Sequence, residues 1–206
     1  MSSYPAETIA DARLPGDAFI MVTVGNRLQY ELREDFLLAI KNALAKDAQL
    51  CWCVVAPTLG EKFYALMQEQ LAAGQVIEWG HEENLPALYK KCSVYVNPDR
   101  MGGGGSITMA MDMGMPVAMT KYYTDITPVI GLENCFEDYD EMFAYVLKLK
   151  ASVKLYSAER DKMRERVSRE EFTMKHYVDV ILQAWADIKK RGRWSWRKNC
   201  MVSMDD

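Results

Sequence analysis

Four consecutive glycines and a serine, residues 102–106, form the segment best suited to chemistry, because together they can bind an anion. They follow an apolar run that ends at Val96 and precede a segment that is typical of a helix. Glycine has no side chain, so the backbone can approach a ligand closely and adopt positive φ angles. The first turn of a helix adds unpaired N–H groups and the positive end of the helix dipole. The segment therefore predicts a phosphate site, with Ser106 placed to cap the helix. The plain alternative is a surface turn without a ligand.

The elements around this loop alternate between short apolar runs and amphipathic segments, which predicts βαβ units and a mostly parallel sheet. Strands are predicted over 18–24, 50–56, 76–79, 94–96 and 116–119, and helices over 34–44, 61–73, 85–92, 107–113 and 141–149. The expected fold class is a doubly wound α/β domain with a Rossmann-like sheet and a C-terminal helical extension. In such sheets ligands bind beyond the carboxyl ends of the strands. The glycine loop follows one such end, and residues 25–27 and 79–81 follow two others.

Three stretches of the chain differ in character. Residues 1–17 are polar and irregular, which predicts a linker or arm, whereas residues 18–150 carry the pattern of the α/β domain. Residues 151–206 predict C-terminal helices, with an apolar stripe on one long helix over 157–189 and a basic tail with two tryptophans over 189–198. That tail suits either an anionic membrane surface or a helix end that docks on protein, with its cations near the helix C-terminus.

Composition excludes several classes of function. The net charge of −4 disfavours nucleic acid as the main partner. No apolar run approaches the ~20 residues that cross a bilayer, and the first residues lack the features of a secretion signal. The five cysteines are odd in number and form no CxxC pair, so we expect small buried side chains in a reducing, cytoplasmic compartment, with Cys51 and Cys53 on one face of a strand. The two histidines lie far apart in sequence, and no metal site is expected.

Residues 85–98, the glycine loop and residues 110–117 together resemble the donor-binding half of GT-B glycosyltransferases. In the retaining enzymes of family four, a short helix leads to a strand that ends near a proline. A glycine-rich loop follows, and then a helix that ends in Gly-x-Pro-Val. Here the strand ends before Pro98, and the helix ends in residues 114–117 with the sequence Gly-Met-Pro-Val. The likeness covers roughly residues 18–150, is greatest to a variant with a glycine run, and implies one half of a GT-B fold with glycosyltransferase activity.

The resemblance implies that the ligand is a nucleotide-diphosphate sugar, most often a UDP-sugar. By position, the donor phosphates would be held by backbone amides and two cations: Gly103, Gly104, Gly105, Ser106, Arg27 and Arg100. The loop beside the base would contain Trp79, Gly80 and His81. The catalytic residues stay unassigned, and the lack of a metal–carboxylate motif predicts action without a metal or other cofactor. Catalysis would depend on positioning and on stabilising the leaving diphosphate.

Two departures from the family pattern affect the expected site. Met101 and Met109 stand where family-four enzymes usually have acidic residues, and methionine offers no strong acceptor for the ribose hydroxyls. Asp112, one turn further along the same helix, is the expected substitute on the ribose side. The chain also has only one α/β half, so an acceptor-binding half is expected from an N-terminal domain or a partner subunit. The isolated chain is therefore expected to be part of the active enzyme.

Two other functions stay open at this point. The methionines at the acidic positions fit a non-catalytic, glycosyltransferase-like module that acts in protein interaction or regulation. An NAD-binding Rossmann domain fits less well, because the glycines follow the fourth predicted strand rather than the first.

Overall fold

The computed structural model describes residues 14–101, 104–121, 126–169, 178–179 and 181–186 of the chain. The chain divides into two compact units, residues 1–167 and residues 168–206, and the first contains every strand of the described residues. Predictions that fall on Gly103, on residues 1–13 of the arm and on the tail over 189–198 lie outside the described residues.

Six strands form one sheet in the first unit: β1 Phe19–Val24, β2 Leu50–Val55, β3 Val76–Glu78, β4 Val94–Asn97, β5 Val117–Thr120 and β6 Cys135–Phe136. All neighbours are parallel, in the order β3-β2-β1-β4-β5-β6. This confirms the doubly wound, Rossmann-like sheet that the sequence predicts. The strand order reverses between β1 and β4, which is where open α/β sheets form a crevice for ligands.

Eight helices connect and cover these strands in the described part of the chain. They are α1 Leu28–Glu31, α2 Glu34–Lys46, α3 Glu61–Ala72, α4 Leu85–Tyr89, α5 Gly104–Asp112, α6 Thr127–Ile130, α7 Tyr139–Ala151 and α8 Val153–Val167. The start of α4 is set by its sequence, because Asn84 Oδ1 accepts from Ala87 N at 3.3 Å and Pro86 occupies the first turn. This cap fixes the loop that leads from β3 into α4.

Apolar side chains cover both faces of the sheet, which explains why its strands read as nearly continuous apolar runs. On β2, Trp52 and Val54 face a core shared with α2, α3 and α7, whereas Cys51 and Cys53 face a core shared with α4, α5 and α8. The two cysteines thus lie on one face, as predicted. All four cysteines of the described residues are buried thiols: Cys51, Cys53, Cys92 and Cys135.

The last helix of the first unit, α8, ends at Val167, within the stretch 157–189 where the sequence predicts a long terminal helix. A buried polar contact fixes this helix, because Asn134 Nδ2 donates to Glu159 Oε2 at 3.0 Å. The hydrophobic periodicity of a sequence gives no indication of a buried hydrogen bond of this kind. The first unit includes α8, and the domain boundary at position 150 stays a prediction.

In the second unit, residues 178–179 and 181–186 are helical. Four apolar side chains at helical spacing are exposed there: Val178, Ile181, Leu182 and Trp185. They form the part of the predicted apolar stripe that the structure describes. None of the helices in the described ranges is both long enough and apolar enough to span a membrane.

Candidate functional site

A cavity of about 540 Å³ opens at the carboxyl ends of β1 and β2, next to the point where the strand order reverses. Its walls come from the ends of both strands, from the loop after β3 and from the start of α5. The side chains that could bind a polar ligand include Arg27, Glu31, Glu82, Arg100 and Ser106. The volume lies within the range of about 300–1,000 Å³ that is usual for small-molecule sites. The position is the one at which doubly wound sheets bind their ligands.

The first turn of α5 reaches this cavity, because the helix begins at Gly104 and Ser106 lines the wall. A Cβ placed on Gly105 would meet no atom of the described residues within 4 Å, so this backbone position borders open space. Helical geometry leaves the first-turn amides without intrahelical acceptors. The prediction that Ser106 caps the helix is wrong, since this residue lies two positions inside it.

Buried tyrosines tie the first turn of α5 to the end of β1. The Tyr95 hydroxyl lies 2.9 Å from Ser106 Oγ, donates to Val24 O at 3.1 Å and accepts from Val24 N at 3.3 Å. The Tyr89 hydroxyl donates to Ser106 O at 3.2 Å. Burial raises the pKa of the Tyr89 phenol above its usual value, so this group stays a neutral donor. These contacts fix the position at which α5 meets the cavity.

Arg100 lines the cavity with a side chain that is only 3% exposed. Its Nε donates to Asn97 Oδ1 at 2.9 Å, and its Nη2 donates to Val24 O at 2.7 Å and to the Tyr95 hydroxyl at 3.2 Å. Its Nη1 pairs with Glu31 Oε2 at 3.1 Å. These protein contacts engage most of the five guanidinium donors. Arg100 therefore contacts the cavity wall and Glu31, and its contact with a donor phosphate stays a prediction.

Arg27 is a second cation of the wall, and 68% of its side chain is exposed. Its Nη2 donates to Glu31 Oε1 at 2.9 Å. Glu31 is 14% exposed and gives one carboxylate oxygen to each arginine. An exposed i,i+4 pair contributes only about 0.3–0.5 kcal/mol, so an incoming phosphate can draw Arg27 away from Glu31. The buried pair with Arg100 is held by more contacts.

The loop after β3 forms another part of the cavity wall. Gly80 and His81 line it, and Gly80 has a φ of +87°, a conformation that a side chain would strain. Trp79 is buried, and its Nε1 donates to Glu82 Oε2 at 2.9 Å. Of the three residues predicted beside the base, Gly80 and His81 therefore border the cavity, whereas Trp79 orients Glu82.

Asp112 lies away from the cavity. It is exposed and is the last residue of α5, eight positions after Gly104. At 1.5 Å per residue, these positions are about 12 Å apart along the helix. Asp112 is not among the residues that line the cavity, and its ribose contact stays a prediction. Of the two methionines at the family's acidic positions, Met109 packs against the core and Met101 is exposed at the cavity wall.

Sequence reasoning missed three residues of the site, namely Glu31, Glu82 and Tyr95. The i,i+4 spacing of Arg27 and Glu31 is a signal for a helical ion pair, but α1 has only four residues and no apolar period to reveal it. Glu82 stands two residues before the Asn84 cap of α4, which marks it as part of an ordered loop. In the sequence, Tyr95 fits the apolar pattern of a buried strand, and only the fold shows what its hydroxyl contacts.

Carboxylates of the cavity wall contact protein donors rather than each other. Glu31 pairs with arginines, and Glu82 accepts from Trp79. Within the ranges that the structure describes, no group of three or more His, Cys, Asp or Glu residues is placed to hold a metal ion. Action without a metal stays a prediction.

No protein-family model matches the chain, and no curated protein matches it. Solved structures do share its fold. A mutant of S. aureus TarM, in complex with Fondaparinux, alpha-GlcNAc-glycerol and UDP, is similar with a TM-score of 0.69 at 14% identity, over 91% of this chain and 37% of TarM. Anabaena Alr3699/HepE in complex with UDP is similar with a TM-score of 0.65 at 15% identity, over 83% of this chain and 49% of HepE.

A third similar structure is the C-terminal domain of LpcC, a glycosyl transferase group 1 family protein from Francisella tularensis. It has a TM-score of 0.59 at 20% identity, over 81% of this chain and 94% of that domain. The chain thus spans less than half of TarM and of HepE but nearly all of the LpcC domain. Likeness at these identities shows the fold alone, and that fold is the Rossmann-like half-domain of GT-B glycosyltransferases.

Proposed function

We propose that this chain is the donor-binding domain of a glycosyltransferase and binds a nucleotide-diphosphate sugar in the cavity next to the β1–β4 reversal. The observation that carries the proposal is that the first turn of α5 and the exposed guanidinium of Arg27 border one cavity. Helix N-termini and arginines are both suited to phosphate. The fold similarity to TarM and HepE, whose structures contain UDP, supports a UDP-sugar as the donor.

The geometry suggests how these groups would act on the donor. The diphosphate would lie at the first turn of α5, with the amides of Gly104 and Gly105 as donors. Arg27 would exchange Glu31 for the diphosphate, while Arg100 keeps its protein contacts and its pair with Glu31 at the cavity wall. Negative charge grows on the leaving diphosphate as its bond to the sugar breaks, and donors that are already oriented stabilise that charge. This is the step that we assign to the chain's own residues.

A second α/β half completes the proposed enzyme. The chain spans 37% of TarM and 49% of HepE, which leaves the larger part of each of these proteins unmatched. We therefore propose that the acceptor is held by an N-terminal domain or a partner subunit. Consumption of a sugar nucleotide is expected only when that half is present, and this assay distinguishes an enzyme from the non-catalytic module.

Calorimetric titration of the full chain with UDP, GDP and ADP tests the donor site. We expect at least one of the three to bind, and inorganic pyrophosphate to compete with it, because the proposed contacts are made to the phosphates. A thermal unfolding curve with each nucleotide gives an independent readout, since a ligand that binds the native state raises Tm. The absence of both heat and a Tm shift with all three nucleotides would falsify the proposal.

We also propose that the protein is located in the cytoplasm. The buried thiols of Cys51, Cys53, Cys92 and Cys135 support a reducing, cytoplasmic compartment. The basic tail over 189–198 fits a peripheral contact with an anionic membrane, or docking on protein. Co-sedimentation of the full chain with anionic vesicles distinguishes these two roles of the tail.

A further inference from the structure

We infer that the carboxylate of Glu82 accepts hydrogen bonds from the ribose hydroxyls of the bound nucleotide and so selects ribonucleotide donors. The inference rests on the proposed function, because it requires a nucleotide whose phosphates lie at the first turn of α5. It assigns a role to the part of the cavity wall that follows β3, where Glu82 lies with Gly80 and His81.

Two neutral donors orient the Glu82 carboxylate. Trp79 Nε1 donates to Oε2 at 2.9 Å, and Asn84 N donates to Oε1 at 2.7 Å. Trp79 is buried and Asn84 caps α4, so the fold fixes both donors. Neutral donors hold the side chain without cancelling its charge, and each carboxylate oxygen has a second lone pair for another donor. Glu82 is thus an acceptor that is already oriented at the cavity wall.

Glu31 is a second carboxylate of the cavity wall, and its partners are arginines rather than neutral donors. Glu31 gives Oε1 to Arg27 at 2.9 Å and Oε2 to Arg100 at 3.1 Å. Arg100 stays paired with Oε2 when Arg27 turns to the diphosphate, so a guanidinium group still offsets the charge of Glu31. Of these two carboxylates, Glu82 is therefore the better acceptor for uncharged hydroxyl groups of a ligand.

The charges of the cavity wall also favour one orientation of a nucleotide. Glu82 follows β3 and the start of α5 follows β4, and these strands are three positions apart in the order β3-β2-β1-β4. At about 4.8 Å per strand, the two strands are on the order of 14 Å apart. A phosphate is attracted to Arg27 and α5 but repelled by the carboxylate of Glu82. A nucleotide therefore binds with its phosphates at α5 and its uncharged nucleoside toward Glu82.

Among the groups of uridine, the nucleoside of the proposed UDP-sugar donor, the ribose diol matches a carboxylate best. Its two adjacent hydroxyls can both donate, whereas the single N–H of uracil lies between two carbonyl oxygens that repel a carboxylate. Acidic residues that accept from ribose hydroxyls are a recurring solution in Rossmann-like domains. Met109 packs against the core and Asp112 lies at the far end of α5, and neither residue lines the cavity. Glu82 provides it from another element.

Ribonucleotides, their dideoxy analogues and one conservative substitution test the inference. The full chain is titrated with UDP and GDP, with 2′,3′-dideoxy-UDP and 2′,3′-dideoxy-GDP, and with inorganic pyrophosphate. The titrations are repeated for Glu82→Gln, which keeps an acceptor oxygen for Trp79 but removes the charge. Glu83→Gln is the matched control, because Glu83 is adjacent and exposed but does not line the cavity. Circular dichroism verifies that each variant is folded.

We expect the wild-type chain to bind a ribonucleotide about 10-fold more tightly than its dideoxy analogue, because hydrogen bonds to a charged group are worth that much. Glu82→Gln should lose this preference and keep its affinity for pyrophosphate, and Glu83→Gln should behave as wild type. If Glu82→Gln keeps the preference, or weakens both kinds of nucleotide equally, the inference is overturned while the donor site stands. Wild-type protein that binds no nucleotide overturns the proposed function as well. If Glu82→Gln fails to fold, equal wild-type affinities for ribo- and dideoxynucleotides still overturn the inference.

Discussion

The hydroxyl groups of Tyr95 and Ser106 lie 2.9 Å apart, and this contact connects a buried strand to the first turn of the helix that borders the cavity. The Tyr95 side chain is fully buried, yet its hydroxyl also contacts both backbone groups of Val24 and the guanidinium of Arg100. One phenol oxygen therefore joins three parts of the wall: the end of β1, the start of α5 and the buried arginine. The shape of the proposed phosphate site depends on this side chain behind it.

We predict that Tyr95→Phe weakens nucleotide binding and lowers stability. Without the phenol oxygen, Ser106 and Arg100 each lose a partner at a buried position, which costs about 1–3 kcal/mol. Calorimetry with UDP should show an affinity about 5- to 10-fold lower, and thermal unfolding should show a lower Tm. Tyr145→Phe is the control, because its hydroxyl contacts Asn134 and does not line the cavity. An equal loss of UDP affinity in both variants would contradict the role of Tyr95.

Arg27→Ala should weaken binding of UDP and pyrophosphate by similar factors, because the lost contact is to the phosphates. A charge-assisted contact contributes about 1.5–3 kcal/mol, so we expect at least a 10-fold lower affinity. The unfolding free energy should change by less than about 0.5 kcal/mol, since the pair with Glu31 is exposed. Titration at two salt concentrations adds a second readout, because the wild-type advantage should shrink as salt rises.

Arg33→Ala is the matched control for that variant. Arg33 is also exposed and pairs with an acidic neighbour, Asp35, but it does not line the cavity. Its substitution should leave the affinity for UDP and for pyrophosphate unchanged. A loss of affinity as large as that of Arg27→Ala would mean that general positive charge, rather than the wall of the cavity, attracts the nucleotide.

The sheet could be predicted from the sequence because its strands are buried on both faces. Every residue of Leu50–Val55 is buried, and such a run stands out against the amphipathic helices on either side. The two-residue strand Cys135–Phe136 and the four-residue helix Leu28–Glu31 are too short to show a period. Their existence depends on tertiary contacts, which a local pattern does not contain.

The residues of the candidate site likewise divide into those that the local sequence indicates and those that depend on tertiary contacts. The glycine loop and Arg27 could be identified because residue type and position after a strand already indicate phosphate chemistry. Whether an arginine is open or buried depends on distant residues, and Arg100 is fixed by Val24, 76 positions earlier in the chain. The orientation of Glu82 likewise depends on the indole of Trp79, whose burial is a property of the folded loop.

Gly25→Ala should damage both the fold and the nucleotide site. A Cβ at this position would lie 2.2 Å from Arg100 Nη1 and 2.9 Å from Leu28 Cδ2, so the arginine must move. Its Nη1 pairs with Glu31 in a part-buried contact, and the loss of a hydrogen bond to a charged group costs about 1.5–3 kcal/mol. We expect a clearly lower Tm and a lower affinity for UDP, measured by thermal unfolding and calorimetry.

The control for that substitution is Gly16→Ala. A Cβ on Gly16 would meet no described atom within 4 Å, so this variant should keep the wild-type Tm and UDP affinity. The pair of variants separates the steric effect at Gly25 from the general effect of adding a methyl group to a glycine. Equal stability of the two variants would show that Arg100 can rearrange at little cost.

Acid should weaken the attachment of α8 to the sheet through Glu159. Burial raises the pKa of this carboxyl, whereas hydrogen bonds from Lys162, Asn134 and Tyr145 lower it by a larger amount. The pKa of Glu159 therefore lies below its usual value of 4.5. The native state therefore binds fewer protons than the unfolded chain as the pH approaches that value. The stabilisation is fully present above about pH 4.5 and is lost as the pH falls through the native pKa.

Glu159→Gln tests this by removing the titrating group. We expect the variant to be less stable than wild type near neutral pH, because Lys162 and Asn134 lose a charged acceptor. Its unfolding free energy should then fall less steeply than that of wild type as the pH is lowered below the usual carboxyl value. Urea denaturation at several pH values measures both quantities, with Glu165→Gln as the control at an exposed position of the same helix. Parallel pH profiles for wild type and Glu159→Gln would show that the contact of Glu159 with Asn134 contributes nothing to the acid sensitivity of the first unit.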